Sequence, residues 1–299
     1  MLEDPLLLRS TSRGATSRDA PANSVRVRRG FHYPAPAWNE LDARGRHALL
    51  VHATARCWTT EPGAISHESA AALWGLPIIG AWPDRVHIST TSGSRSSQGA
   101  LQVHRISDEC ATQRIGGLLV TTSAQTVVDL ARSRDLRSGL ATADAALHRG
   151  VLRSAELAEL TAGLAPGCRG GAIARLVAAL ADGRSESVLE SLSRAVMFEQ
   201  GFPRPELQVR LVDSDGEFGR ADFGWPGLIG ECDGALKYGM ALSDGDPSAA
   251  VVREKRREDR IRLFSEVVRW GWMDAFRVDP LVRRLVAKGL RPGDQSSWF

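Results

Sequence analysis

The stretch "GRADFGWPGLIGECDGALKY" (residues 219–238) brings Asp222, Glu231 and Asp233 close together on segments with the apolar content of buried strands. Like charges repel and resist desolvation, so folding gains nothing from this grouping unless something neutralises it. Strand side chains alternate, which assigns Arg220, Asp222 and Gly224 to one face and Ala221 and Phe223 to the other. On the next strand Glu231 and Asp233 share a face and Cys232 points away. With the apolar faces inward, the two acidic sets meet at one end of a sheet. Oxygen donors of this kind suit Mg²⁺ or Mn²⁺, which need few carboxylates and keep several waters. A dication removes the repulsion, polarises a phosphoryl oxygen and acidifies a bound water, which is hydrolytic chemistry on phosphodiesters. Glu190, on the preceding helix, is placed to reach the ion or orient the attacking water. Lys237 is placed to neutralise charge developing on a scissile phosphate.

A second reading stays open beside this one. The acids could line a solvated sheet edge, each paired to a nearby arginine. Glu186, Glu190 and Arg194 lie four apart and could form a surface ion-pair ladder.

Outward from this stretch, a helix over "SESVLESLSRAVMFEQG" precedes it, with Val188, Leu189, Leu192 and Val196 as its apolar stripe. "ELQVRLVDSDGEFGRADFGW" reads as a hairpin turning at Asp215-Gly216. "LIGECDG" is a third strand, "AVVREKRREDRIRLF" a charged helix and "EVVRW" a fourth strand, with Trp225, Trp270 and Trp272 packing the sheet. The charged helix carries six basic residues against three acids over 253–262. It reads either as a solvated face or as a phosphate-contacting ridge led by Arg256 and Arg260.

Toward the N-terminus, residues 61–165 read as one small α+β domain and 166–183 as a helical linker. Within that domain "ISHESAAALWGLP" is a helix capped by Ser66 and stopped at Gly75. "DRVHISTTSGSRSSQGALQVHRI" reads as a long hairpin, and "LLVTTSAQTVVDLARS" as a strand entering a helix near Ser123. Residues 1–60 begin with a basic, polar run and hold the ribbon "SVRVRRGFHYP", whose exposed face carries Arg26 and Arg28, with Arg29 beside them. These arginines either follow a DNA backbone or blunt a strand edge. His67 and His104 read as surface or strand residues rather than ligands.

The chain has 299 residues, a net charge of +3 and a pI near 8.9, a slight bias toward acidic partners. Cys57, Cys110, Cys168 and Cys232 lie more than fifty positions apart, matching neither a zinc site nor a disulfide framework. No apolar run approaches a membrane span, and the N-terminus lacks the apolar core of a signal peptide, so a cytoplasmic protein is expected.

Two resemblances extend the reading. The order Glu190, Asp222, "ECDGALKY", then "EKRREDRIRLFSEVVRWGW" resembles the very-short-patch-repair branch of the PD-(D/E)XK nucleases over residues 184–276. It implies a restriction-endonuclease-like mixed four-stranded sheet flanked by helices over 184–299. It also implies Asp222 and Glu231 as ligands of Mg²⁺ or Mn²⁺, and Glu190 as the acid of the first helix. Position 233 is aspartate where the commonest motif has lysine. The related acid-x-acid-Gly pattern lets Asp233 shape the site and Lys237 take the cationic role.

"VRRGFHYP", "ISHESAAALWGLP", "DRVHIS", "VHRI" and "VTTSAQTVVDLA" resemble the abortive-infection antitoxins of type IV toxin–antitoxin systems over residues 24–160. This implies a winged helix, degenerate here over 1–60, ahead of the α+β domain, with DNA and a cognate toxin as partners. The expected fold class is therefore α+β or α/β, with a nuclease-like rear. The function read from the whole is a metal-dependent DNA endonuclease, or alternatively a non-catalytic DNA-binding regulator on an inactive nuclease fold.

Overall fold

The computed structural model describes residues 8–9, 22–91, 97, 99–106, 110–214, 216–233, 257, 260–261, 263–293 and 295–299. It is a mixed α and β protein in two compact units, Met1–Thr142 with Gly150–Ala178, and Ala143–Arg149 with Ala179–Phe299. No helix among the described residues is long and apolar enough to cross a membrane.

In the first unit, β1 (Leu8–Arg9), β2 (Ser24–Arg28) and β3 (Phe31–Pro34) form an antiparallel sheet in the order β1-β3-β2. The ribbon expected around Gly30 is present, but its register shifts between Arg26, opposite His32, and Arg28, opposite Phe31. Consecutive residues His32 and Phe31 point to opposite faces, so the bulge separates Arg26 from Arg28, and the two do not share a face as alternation predicted. Helices α1 (Ala35–Glu40) and α2 (Ala43–Ala55) follow; Asp42 caps α2 through Gly45 N at 2.7 Å. Leu49 and Ala53 of α2 are buried against Phe31.

The rest of this unit runs β4 (Ala64–Ile65), α3 (His67–Trp74), β5 (Val86–Thr90), β6 (Leu101–Arg105), β7 (Thr112–Ile115), β8 (Leu118–Thr121), α4 (Ser123–Ser133), α5 (Leu136–His148), α6 (Ser154–Ala162) and α7 (Gly171–Leu180). Thr122, one residue before the expected Ser123, caps α4, and Gly75 ends α3 in the left-handed conformation, φ 71°. The sheet order is β6-β5-β4-β8-β7. Strands β5 and β6 pair in parallel, Val86 with Leu101 through Thr90 with Arg105, so the expected long hairpin is corrected. Alternation marks both strands but carries no information on their relative direction. The last residues of α5, from Ala143, belong to the second unit.

The second unit is built on α8 (Val188–Glu199) and a mixed four-stranded sheet of β9 (Glu206–Asp213), β10 (Gly216–Trp225), β11 (Leu228–Asp233) and β12 (Glu266–Gly271), in the order β12-β11-β10-β9. Two short helices, α9 (Trp272–Phe276) and α10 (Asp279–Ala287), follow. Strands β9, β10 and β11 are antiparallel neighbours, while β11 and β12 run parallel, which requires a crossover between them. Residues 257, 260 and 261 in that crossover are helical. Gly216 pairs with Asp213, so the β9–β10 connection is 214–215, one position earlier than expected; Asp215 lies outside the described residues.

One sheet face holds Phe223, Trp225 and Trp270 in a stack, with Gly230 so close that a Cβ there would meet Trp270 at 2.7 Å. The other buries Leu211, Ala221, Ile229 and Ile261. Trp270 donates its indole N–H to Ser193 of α8 at 2.8 Å. Trp272, expected in the sheet core, is 39% exposed and stacks on Phe276 instead. It opens α9 rather than continuing β12, which removes it from the strand alternation.

Candidate functional site

Ser187 caps α8, accepting from Glu190 N at 3.1 Å, and its hydroxyl donates to Glu190 Oε1 at 2.7 Å. Glu190 Oε2 accepts from Glu186 N at 3.0 Å and from Gln208 Nε2 of β9 at 2.9 Å. This is a capping box, shifted by one residue, with an added donor from the sheet. Glu190 is 4% exposed. Burial raises its pKa above the usual carboxylate range and the nearby Asp222 adds to the rise, against the three donated hydrogen bonds. The surface ladder allowed by the spacing is absent. Arg194 is buried and pairs with Asp144 at 2.6 Å, and Glu186 pairs with Arg220 at 2.5 Å.

Asp222 sits where the β10 ladder is interrupted on both sides. Toward β9 the pairs Ala221–Val209 and Phe223–Leu207 form, and the opposed position between them, Asp222 and Gln208, is skipped. Toward β11 the pairing ends at Phe223–Gly230. Asp222 Oδ2 accepts from Cys232 N at 2.7 Å. Faces change here too. Ala221 joins the Ile229–Ile261 cluster while Phe223 stacks on the opposite side of the sheet, so the two do not share a face as alternation predicted. Gln208 of β9, at φ 56°, lies at the skipped position opposite this change.

Glu231 is buried at 7% exposure between two guanidinium groups. Arg269 Nε, its register partner on β12, donates to Oε2 at 2.9 Å. Arg257 Nη2 approaches Oε1 to 2.5 Å as an ion pair without hydrogen-bond alignment, and Oε1 has no hydrogen bond. Asp233, at the end of β11, is exposed. Lys237 and Arg256 lie outside the described residues. Arg260 is committed locally: it grips Asp213 with two 2.7 Å hydrogen bonds and lies 4.1 Å over the Phe218 ring. Of the ribbon arginines, Arg26 and Arg29 are exposed and Arg28 is half-buried.

Among the described residues, no three His, Cys, Asp or Glu side chains are arranged to hold a metal ion. Mg²⁺ does not require three, because it binds through one or two carboxylates and retains waters. The Oε1 of Glu231, in ion contact with Arg257 but without a hydrogen bond, and the Asp222 carboxylate are oxygen donors of the kind such a hard cation takes. Arg257 and Arg269 already neutralise part of the charge.

A separate polar cluster lies in the first unit. His67, with φ 51°, stacks on His104 at 3.6 Å, and His104 Nε2 is 3.2 Å from His87 Nδ1. Glu68 pairs with His87 at 2.8 Å and with Arg134 at 2.7 Å. The reading of His67 as a surface residue is corrected: it is 8% exposed, and burial first of all pushes its pKa down to about 3. Ser66 does not cap α3 through its side chain; its hydroxyl lies 3.0 Å from His67 Nδ1. Sequence reasoning missed Gln208, Arg257 and Arg269. Arg269 was legible only through its register opposite Glu231, and Gln208 gave no motif signal.

The chain is 41% identical over 116 residues to each of two curated proteins of Mycobacterium tuberculosis, described as "Uncharacterized protein MT2308" (strain CDC 1551 / Oshkosh) and "Uncharacterized protein Rv2248" (strain ATCC 25618 / H37Rv). The match covers 39% of this chain and 42% of each relative, so it spans about two fifths of the length of the curated relatives. No protein-family profile matches the chain, and no solved structure matches it significantly.

Proposed function

We propose that the second unit is a divalent-metal-dependent phosphodiesterase of the restriction-endonuclease-like type, acting on DNA. The supporting observation is the interrupted ladder at Asp222, which faces the register position of buried Glu231 and lies close enough to Glu190 to raise its pKa. A strand that gives up a pairing position at an acid, with the buried Glu190 close enough to feel its charge, costs stability unless the acids are used. In this reading Asp222 and Glu231 hold Mg²⁺ or Mn²⁺, whose chemistry when bound is to polarise the phosphoryl oxygen and acidify a water. Glu190, its carboxyl held in place by hydrogen bonds from Ser187, Glu186 and Gln208, orients that water. Asp233 shapes the rim, Lys237 supports the phosphate, and a degenerate winged helix with Arg26 and Arg29 carries the DNA backbone. The test is cleavage of supercoiled plasmid with Mg²⁺ or Mn²⁺ by wild type, Asp222→Asn and Glu231→Gln. Cleavage by wild type alone is the expected result, and equal behaviour of all three removes the reading.

A second reading is favoured by the clasp on Glu231: Arg257 and Arg269 neutralise that carboxylate without any ion. It makes the protein a non-catalytic DNA-binding regulator of the antitoxin type, with a toxin as partner. DNA binding undiminished by chelator, together with no cleavage, supports it.

A further inference from the structure

Among the described residues, four other than glycine adopt a positive φ: Asn23, His67, Gln208 and Val278. Gln208 differs from the rest in its setting, because it lies within a strand whose neighbours on either side are paired, Leu207 with Phe223 and Val209 with Ala221. A left-handed residue inside a strand is unfavourable for any side chain with a Cβ, and it forfeits a ladder position. That cost is incurred opposite Asp222 and nowhere else in β9.

The backbone turn has two consequences. Leu207 stays on the side of Phe223, whereas Val209 lies against Gly224, where a Cβ would meet its Cγ2 at 2.6 Å. The turn also lets the half-buried Gln208 side chain bring its amide to Glu190 Oε2 at 2.9 Å. Ser187 and Glu186 already complete the helix cap, so the cap does not need this donor. What the donor adds is a third hydrogen bond, the one that comes from β9 and so ties the Glu190 carboxyl to the strand position opposite Asp222.

We infer that Gln208 is a positioning residue, held in a strained backbone conformation so that its amide anchors the Glu190 carboxyl to β9 at the interrupted ladder position opposite Asp222. This deepens, and for its catalytic consequence rests on, the metal-dependent reading above. Gln208 touches neither ion nor substrate and acts through Glu190.

Gln208→Gly and Gln208→Asn separate the side chain from the backbone. Glycine adopts φ near 56° without penalty, and asparagine tolerates that region but is one methylene too short to keep the contact. Both variants should melt close to wild type, and the asparagine form carries the test if the glycine form does not fold. The primary readout is the ¹³C resonance of the Glu190 side-chain carboxyl in the full chain at one fixed pH, which should move in both variants once the donor is lost. With Mn²⁺, kcat for plasmid cleavage should fall roughly tenfold in both variants while KM stays as in wild type.

An unchanged Glu190 carboxyl resonance in both folded variants overturns the inference. So does an unchanged kcat in an enzyme that cleaves. A moved resonance in a protein that cleaves nothing upholds the Gln208–Glu190 contact and removes the nuclease reading instead, so the two failures are distinct.

Discussion

Replacing Asp144 by alanine isolates the cost of a buried unpaired charge in the second unit. Asp144 and Arg194 have side chains 0% and 1% exposed, and their closest atoms are 2.6 Å apart. Arg194 also donates to Leu180 O at 2.6 Å, and Asp144 accepts from Asp182 N at 2.8 Å. Without the carboxylate, the guanidinium keeps one carbonyl partner in a site that excludes water. Breaking one side of such a pair costs about 3–5 kcal/mol, and the orphaned Asp182 N–H adds about 1 kcal/mol. A domain is stable by only ~5–15 kcal/mol, so the variant should sit near the edge of folding. Replacing both residues, Asp144→Leu with Arg194→Met, removes the charge with its partner and should recover most of the loss. Cys232, 5% exposed and against Ser193 next to Arg194, gives a local assay. Its labelling by a thiol reagent across a urea series, read by mass spectrometry, reports opening of this unit. An Asp144→Ala cost below about 1 kcal/mol, or a double variant no better than the single, refutes the reasoning.

Other outcomes follow from the same geometry. His67 and His47, with pKa values pushed down to about 3 and about 4 chiefly by burial, bind protons in the unfolded chain first. The stability they permit is complete above pH 6.5 and is lost as pH falls toward those values, by about 2 kcal/mol each at pH 5. Asp129, raised by burial to about 6, gains protons in the folded state and returns about 1 kcal/mol over that interval; His104, lowered to about 4 chiefly by burial, adds to the loss, so urea melts of the first unit should show a net loss of at least about 3 kcal/mol between pH 7 and 5. Gly230→Ala should cost about 1–3 kcal/mol in the same Cys232 assay, because the new methyl meets the rings of Trp270 and Trp225. Arg26→Ala should lower DNA affinity and flatten its salt slope by about one; Arg260→Ala, already spent on Asp213, should leave both unchanged.

The helix α8 and the strands of the second sheet were legible because their apolar periods, a capping serine and a glycine stop are local signals. The direction of β6 was not, since parallel and antiparallel strands alternate alike. Strict alternation also failed at Ala221 and Phe223, because it assumes a regular strand and cannot register an interrupted ladder position such as Asp222 opposite Gln208. The acids around Asp222 were found from their crowding, whereas the guanidinium clasp on Glu231 joins residues 26 and 38 positions away through the fold. The imidazole stack of His67 on His104 is similarly non-local, and each histidine taken alone gave no sign of it.

On the proposed reading, Asp222 helps hold a divalent cation. Titration of the full chain with Mn²⁺, following free ion by electron paramagnetic resonance, tests it without needing a substrate. Wild type should take up at least one ion per chain, and Asp222→Asn, folded to the same melting temperature or above, should take up none in that range. No uptake by wild type, or equal uptake by the variant, contradicts the account.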